Sequence, residues 1–153
     1  AGYKTALLDD LATTTIDQDT LQRFLPAGSK IIDSDRMDRS VGVPTVRGWN
    51  LYAAGSFATT FTVEATGRYA VGLLGRGQAA AEIWPIVEIE IDDETVSELY
   101  INNPVQDYFE THTTLLAGEH HLRISYLNNA VPEDESGDRN FILEKVFIQP
   151  EPN

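Results

Sequence analysis

Four carboxylates, Glu133, Asp134, Glu135 and Asp138, crowd one short stretch, YLNNAVPEDESGDRNFILEKVFI, in the company of the amides Asn128, Asn129 and Asn140. Like charges this close repel, so they either point into water or surround a cation. Calcium is the natural candidate, because it takes about six to eight hard oxygen ligands from a flexible loop, and carboxylates, amides and carbonyls supply them. The competing reading is a solvated acidic turn, the commoner fate of a charge run. Against it, GDRN leads directly into an apolar strand-like run, so Asp138 and Asn140 stand at the entrance of a strand rather than at a loop tip. On these residues alone both readings stand.

Other chemistries fail on spacing. Counting from Gly137 as the glycine of an EF-hand loop puts Pro132 at the first ligand position and Leu143 at the closing glutamate position. DSDRMD, from Asp33 to Asp38, puts Met37 where a ligand is needed. Zinc requires closely spaced His or Cys, but the chain has no cysteine, and His120 and His121 are neighbours in a strand pattern and point to opposite faces. There is no nucleophile elbow, glycine-rich phosphate loop or metalloprotease helix. A glycosidase needs two carboxylates at a fixed separation, and abundant acids do not specify a pair. No catalytic residue is assigned, and His112, His120 and His121 read as packed or surface residues of strands.

The elements that must hold the acidic loop are strands. From Trp49 onward the apolar period is two: Phe57, Thr59, Phe61 and Val63 alternate, EATG turns the chain, and Tyr69, Val71 and Leu73 alternate in outline as a hairpin. IVEIEI puts Val87, Ile89 and Ile91 on one face and Glu88 and Glu90 on the other, with Asp92-Asp93 as the turn into ETVSELYI. YFETHTTLL, the turn AGEH, HLRISYL and FILEKVFI complete the series. Short strands at this spacing predict an all-β, antiparallel sandwich of jelly-roll type. Before Trp49, KIIDSDRMDRSVGVPT reads as a short strand followed by irregular chain. Thr5 to Leu25 has the apolar spacing and Asp caps of short helical segments, and the TTT interruption argues against one continuous helix. The tail QPEPN, residues 149–153, reads as a linker to a neighbouring domain.

A chain of 153 residues fits one domain spanning residues 1–153. Its formal charge of −13 repels phosphate backbones and anionic lipid, so nucleic acid and membrane surfaces are poor partners, and cations or neutral ligands good ones. No stretch is apolar enough to span a membrane, and the opening AGYKTALLDD has neither a basic n-region nor a long apolar run.

The stretch LLAGEHHLRISYLNNAVPEDESGDRNFILEKVFI resembles the C-terminal half of calcium-dependent, xylan-binding carbohydrate-binding modules. Gly118, His120, Leu122, Ile124, Tyr126, Asn128 and Asn129 fall on that family's penultimate strand, and Asp138, Arg139, Asn140 and Phe141 on its D-R-N motif. WNLYAAGSFATTFTVEATGRYAVGLLGRG and EIWPIVEIEIDDETV resemble the preceding strands, so the likeness covers residues 49–148. It departs where Asn129 replaces an aspartate and where Glu144 stands for the aspartate after D-R-N. The resemblance implies a non-catalytic, secreted polysaccharide-binding module attached to a larger polysaccharide-active protein. Xylan or a related plant or marine glycan would be the ligand, and calcium would coordinate vicinal sugar hydroxyls. It places calcium on Asn129, Glu133, Asp134, Glu135 and Asp138, with Arg139 and Asn140 shaping the loop or touching sugar. Flat rings stack on pyranose faces; Trp84, in a loop context with Glu82 and Pro85, is the expected platform, while Trp49 reads as core-edge and Tyr52 and Tyr126 as reserves. A calcium-stabilised adhesion or spacer domain and, less favoured, a glycoside-cleaving enzyme are the alternatives.

Overall fold

The computed structural model describes residues 22–23, 25–45, 47–51, 54–80, 82–128 and 139–152. The helical expectation for the N-terminal segment lies, but for its last residues, outside them. The described strands form two antiparallel sheets packed face to face. One has the order β3 (Val43–Thr45), β4 (Gly48–Leu51), β11 (Asn140–Pro150), β6 (Gly67–Gln78), β9 (Asp107–Leu115), with β1 (Lys30–Asp33) also paired to β11. The other runs β2 (Asp38–Arg39), β5 (Gly55–Val63), β10 (Gly118–Tyr126), β7 (Ile86–Ile91), β8 (Glu94–Tyr100). The all-β sandwich expected from the alternation is therefore the observed fold.

The alternating apolar residues face one another between the sheets. Phe57, Phe61, Val87, Ile89, Leu122, Ile124 and Tyr126 from one sheet meet Leu51, Tyr69, Val71, Leu73, Phe141, Leu143, Val146 and Ile148 from the other. Phe141 lies edge-on to Phe57, with ring centroids 6.0 Å apart. The Asp92-Asp93 turn is as expected: both residues have positive φ, 54° and 67°, the backbone of a two-residue turn that matches the strand twist between β7 and β8.

Three expectations change. The runs ending at Val63 and starting at Gly67 are not a hairpin: β5 pairs with β10, and β6 with β11 and β9, so the chain crosses from one sheet to the other at residues 64–66. Tyr69 pins that corner by donating its hydroxyl to the carbonyl of Ala65 at 2.5 Å. Alternation says which face of a strand is buried; it does not say which sheet the strand joins. The stretch before Trp49 supplies three strands, β1, β2 and β3, shared between both sheets, rather than one strand and irregular chain. Residues 149 and 150, expected in a linker-like tail, belong to β11: the strand runs to Pro150, Gln149 is fully buried, and the Glu151 amide donates to the Arg68 carbonyl at 2.9 Å.

The sheet containing β6 is also buried on its outer side. Leu74, Tyr108 and Phe147 cluster there with Leu25 and, partly buried, Ile31. Tyr108 lies over Gly72, where a Cβ would fall 2.0 Å from the tyrosine oxygen, so that position requires glycine. Among the described residues no helix is long and apolar enough to cross a membrane.

Candidate functional site

The acid-rich segment 129–138 connects β10 to β11, and its five expected metal ligands, Asn129, Glu133, Asp134, Glu135 and Asp138, lie outside the described residues. The residues on either side of it are tied into the sandwich. Asn128, just past β10, accepts from the Ile86 amide through Oδ1 at 2.7 Å and donates through Nδ2 to the Trp84 carbonyl at 3.0 Å. Both halves of its amide are thus spent on the segment that enters β7. At the other stem, Arg139 is buried. Its Nε donates to the Ile83 carbonyl at 2.8 Å, Nη2 to the Ala80 carbonyl at 3.0 Å, and Nη1 to the Asn128 carbonyl. The Arg139 carbonyl in turn accepts the Tyr126 hydroxyl at 2.6 Å. A planar guanidinium can serve several carbonyls at fixed angles, which an ammonium on a flexible stem cannot do as well.

These bonds gather the connection between β6 and β7 around the stems. Ala80 and Ile83 bridge one another across a tight turn, with paired bonds of 3.1 and 3.0 Å, and Glu82 within it has a φ of 63°. A non-glycine residue in that region is uncommon and such residues concentrate at functional sites. Glu82 is exposed, Ile83 is 51% exposed, Trp84 is half-buried and Pro85 is buried. The Ile101 amide donates to the Pro85 carbonyl at 2.9 Å, which ties in the connection between β8 and β9. Trp84 and Glu82 therefore stand in the turn that the stems of the acidic loop grip.

Asn140, at the start of β11, donates through Nδ2 to Gln78 Oε1 at 2.6 Å, and its Oδ1 is buried without a hydrogen-bond partner. The residue itself is 7% exposed. A buried amide oxygen without a donor is costly in itself and is a good ligand for a hard cation. Glu144, the counterpart of the family's second aspartate, lies elsewhere: it pairs with Arg47, Nε to Oε1 at 2.9 Å, beside the register shift between Leu143 and Lys145.

Trp49 is no platform. Its Nε1 donates to the Val41 carbonyl at 2.8 Å, Arg39 covers its ring at 3.8 Å, and it packs against the core. Tyr126 is in the core, and Tyr52 lies outside the described residues. Among the described residues no group of three His, Cys, Asp or Glu side chains is placed to hold a metal ion. Sequence reasoning underrated Asn128, although its place at the exit of the alternating strand, where an amide can bond backbone groups leaving the sheet, was the available signal.

No protein-family model matches the chain, and no curated protein matches it. Solved structures do. The chain is similar to the CBM36-1 domain of a multidomain xylanase from the hindgut metagenome of Trinervitermes trinervoides, with 16% identity over 82% of this chain and 99% of that one, and a TM-score of 0.58. A family 35 carbohydrate-binding module from Clostridium thermocellum matches with 11% identity over 82% and 100% of the two chains, TM-score 0.59. The carbohydrate-binding module CBM36 in complex with calcium and xylotriose matches with 12% identity over 78% and 99%, TM-score 0.54. The chain has the β-sandwich fold shared by several families of carbohydrate-binding modules.

Proposed function

We propose that this chain is a non-catalytic polysaccharide-binding module of a larger secreted polysaccharide-active protein, and that it holds its glycan at the loop pole with the help of calcium. The observation that carries this reading is the double clamp of Asn128 and Arg139. It fixes the two ends of the acid-rich segment against the turn that carries Trp84. The acid-rich segment therefore begins and ends beside the turn that carries the Trp84 ring.

The residues suit calcium by their chemistry. Asn129, Glu133, Asp134, Glu135 and Asp138 offer oxygen only, and the unpartnered Asn140 Oδ1 adds a hard donor at the stem. Calcium, when bound, would coordinate vicinal sugar hydroxyls directly, two of them replacing water. The chain's own part is to hold that loop, to present Trp84 and Glu82 beside it, and to keep polyanions away through its net charge of −13. The resemblance in sequence and the xylotriose of the CBM36 complex favour xylan or a related neutral glycan. The similarity over nearly the full length of carbohydrate-binding modules favours binding without cleavage.

The test is the unmodified chain on insoluble xylan, in calcium and in excess chelator. Calcium should raise the melting temperature and retain the protein on the polysaccharide, and chelation should reverse both. Asp138→Ala should weaken both together, while Glu119→Ala, exposed at the far pole, leaves both intact. Equal melting curves and equal retention with and without calcium would reduce the acidic segment to a solvated turn.

A further inference from the structure

The stretch Gly118-x-His120-x-Leu122 contains a residue that the loop pole does not use. His120 stands eight positions before Asn128 on β10, roughly 26 Å along the strand at ~3.3 Å per residue. It is 9% exposed and its ring stacks on Phe61 of β5, with centroids 5.6 Å apart and planes inclined by 29°. Nδ1 lies 2.6 Å from Asp92 Oδ2, and Nε2 lies 2.6 Å from the Leu116 carbonyl. An ionised carboxylate and a carbonyl can only accept, so both ring nitrogens must carry hydrogen to make both bonds; the geometry is that of an imidazolium.

Asp92 is held for this role. Its Oδ1 accepts the His121 amide at 2.8 Å, its own amide donates to the His121 carbonyl at 2.8 Å, and its positive φ folds the turn onto β10. One charged ring thus joins three parts of the fold: the turn between β7 and β8, the corner where the chain passes from β9 to β10 and so from one sheet to the other, and strand β5. Beside it a cleft of about 440 Å³ runs along the open side of the sandwich between the edge strands β8 and β9.

We propose that His120 and Asp92 form a pH-sensitive clasp, which closes this pole of the sandwich while the imidazole is doubly protonated and loosens it when the ring loses a proton. After that loss one nitrogen presents a lone pair to an acceptor, and either the Leu116 carbonyl or the Asp92 carboxylate is left without its donor. The carboxylate is half exposed and can turn to water. The β7–β8 turn then loses its tie to the β9–β10 corner, and the mouth of the cleft between them widens.

The charged surroundings favour the closed form. The β7–β8 turn contributes Asp92 and Asp93, β8 contributes Glu94, and β9 contributes His112 on the cleft wall, itself between Glu110 and Glu151. β5 has no ionisable residue, and on β10 the neighbours Glu119 and His121 are exposed on the opposite face. Burial opposes the charged ring, but the hydrogen bonds to Asp92 and Leu116 and the Asp92 charge outweigh it and hold the ring above the ordinary histidine range. The same pairing holds the Asp92 carboxyl below its ordinary range against the cost of its burial. The stabilisation is therefore complete below about pH 6.5, the unfolded histidine value, and is lost as pH rises through the higher folded value.

The test is a titration of the histidine ring nitrogens of the whole chain by NMR from about pH 5 to 9, with amide exchange followed at Asp92 and His121. His120 should show two protonated nitrogens at the acid end and a midpoint above ~6.5. Protection at the two amides, corrected for the intrinsic pH dependence of exchange, should fall across that same midpoint. Asp92→Asn should move the midpoint down by about one pH unit or more, and His112→Gln should leave it in place. In His120→Gln the pH-dependent fall should vanish. A His120 midpoint at or below ~6.5 in the unmodified chain overturns the clasp, even if the variants do not fold. So does the same loss of protection in His120→Gln.

Discussion

Arg139 and Ile83 are 56 residues apart in the chain, and Arg139 Nε donates to the Ile83 carbonyl at 2.8 Å. The same guanidinium reaches the carbonyls of Ala80 and Asn128, so the exit of the acidic segment is keyed to its own entrance and to the turn before Trp84. These hydrogen bonds hold the two stems together. Arg139 and Asn128 thus hold the fold at the stems, apart from the residues proposed to hold a ligand.

That separation predicts a loss of stability at Arg139. Arg139→Ala removes the donor shared by three carbonyls, of which those of Ala80 and Ile83 keep the bonds they exchange with each other's amides, and should cost roughly 1–3 kcal/mol. Arg139→Lys should recover only part, because a single ammonium cannot serve three carbonyls along the directions of a planar fork. Urea unfolding of the three proteins measures it; a loss below about 0.5 kcal/mol for the alanine variant would show that the carbonyls find other donors.

A second prediction concerns glycines whose surroundings differ. A Cβ at Gly72 would fall 2.0 Å from the Tyr108 oxygen, whereas at Gly67 it meets nothing within 4 Å. Tyr108 is itself held by Gln149, whose Nε2 donates to the hydroxyl at 3.1 Å. Gly72→Ala should therefore displace the ring and cost about 1–3 kcal/mol, while Gly67→Ala should stay within about 0.5 kcal/mol of the parent. Thermal melts of the pair decide it, and equal melting temperatures would mean the Tyr108 ring moves aside freely.

How much of this was legible before the structure depended on the range of the interaction. Strand β7, its Asp92-Asp93 turn and the inward face of β10 follow from local alternation and turn chemistry, and all are as expected. The crossing at residues 64–66 was invisible, because Phe61 and Val63 bury the same way whether the next strand pairs beside them or opposite. The clamp was invisible too: nothing local to GDRN shows that Arg139 turns inward to Ala80 and Ile83. Trp49 read correctly as core-edge, since it adjoins the strand-rich body. Trp84, Glu82 and the loop stems were rightly read as loop residues, but their grouping at one pole rests on contacts some 45 to 60 residues apart.

A third prediction follows from the outer face of β7. Partial burial, with Glu88 close by on the same face, raises the Glu90 carboxyl above its ordinary range, and Arg123 opposes this only in part. Asp93 adds to the repulsion. A raised carboxyl means that ionisation weakens the folded state, so the penalty is present at neutral pH and disappears as pH falls below the unfolded glutamate value of about 4.3. Glu90→Gln should therefore be slightly more stable than the parent at pH 7 and indistinguishable near pH 4. The reverse order would mean that the attraction of the Arg123 charge outweighs the repulsion.

The two tryptophans provide the sharpest division between fold and ligand. Trp49 donates to the Val41 carbonyl, lies under Arg39 and packs on the core, so Trp49→Ala should cost about 3 kcal/mol. The folded fraction should still be retained on xylan with unchanged affinity. Trp84 bonds Asn128 through its backbone carbonyl, which alanine keeps, and its half-buried side chain should cost about 1 kcal/mol when removed. If its ring is the sugar platform, Trp84→Ala should weaken retention at least about tenfold, corresponding to ~1.4 kcal/mol of lost stacking. Affinity electrophoresis in xylan, run beside urea melts on the same preparations, separates the two effects. Undiminished retention by Trp84→Ala would move the glycan away from this turn, and loss of retention by a folded Trp49→Ala would place it at the edge formed by β3 and β4.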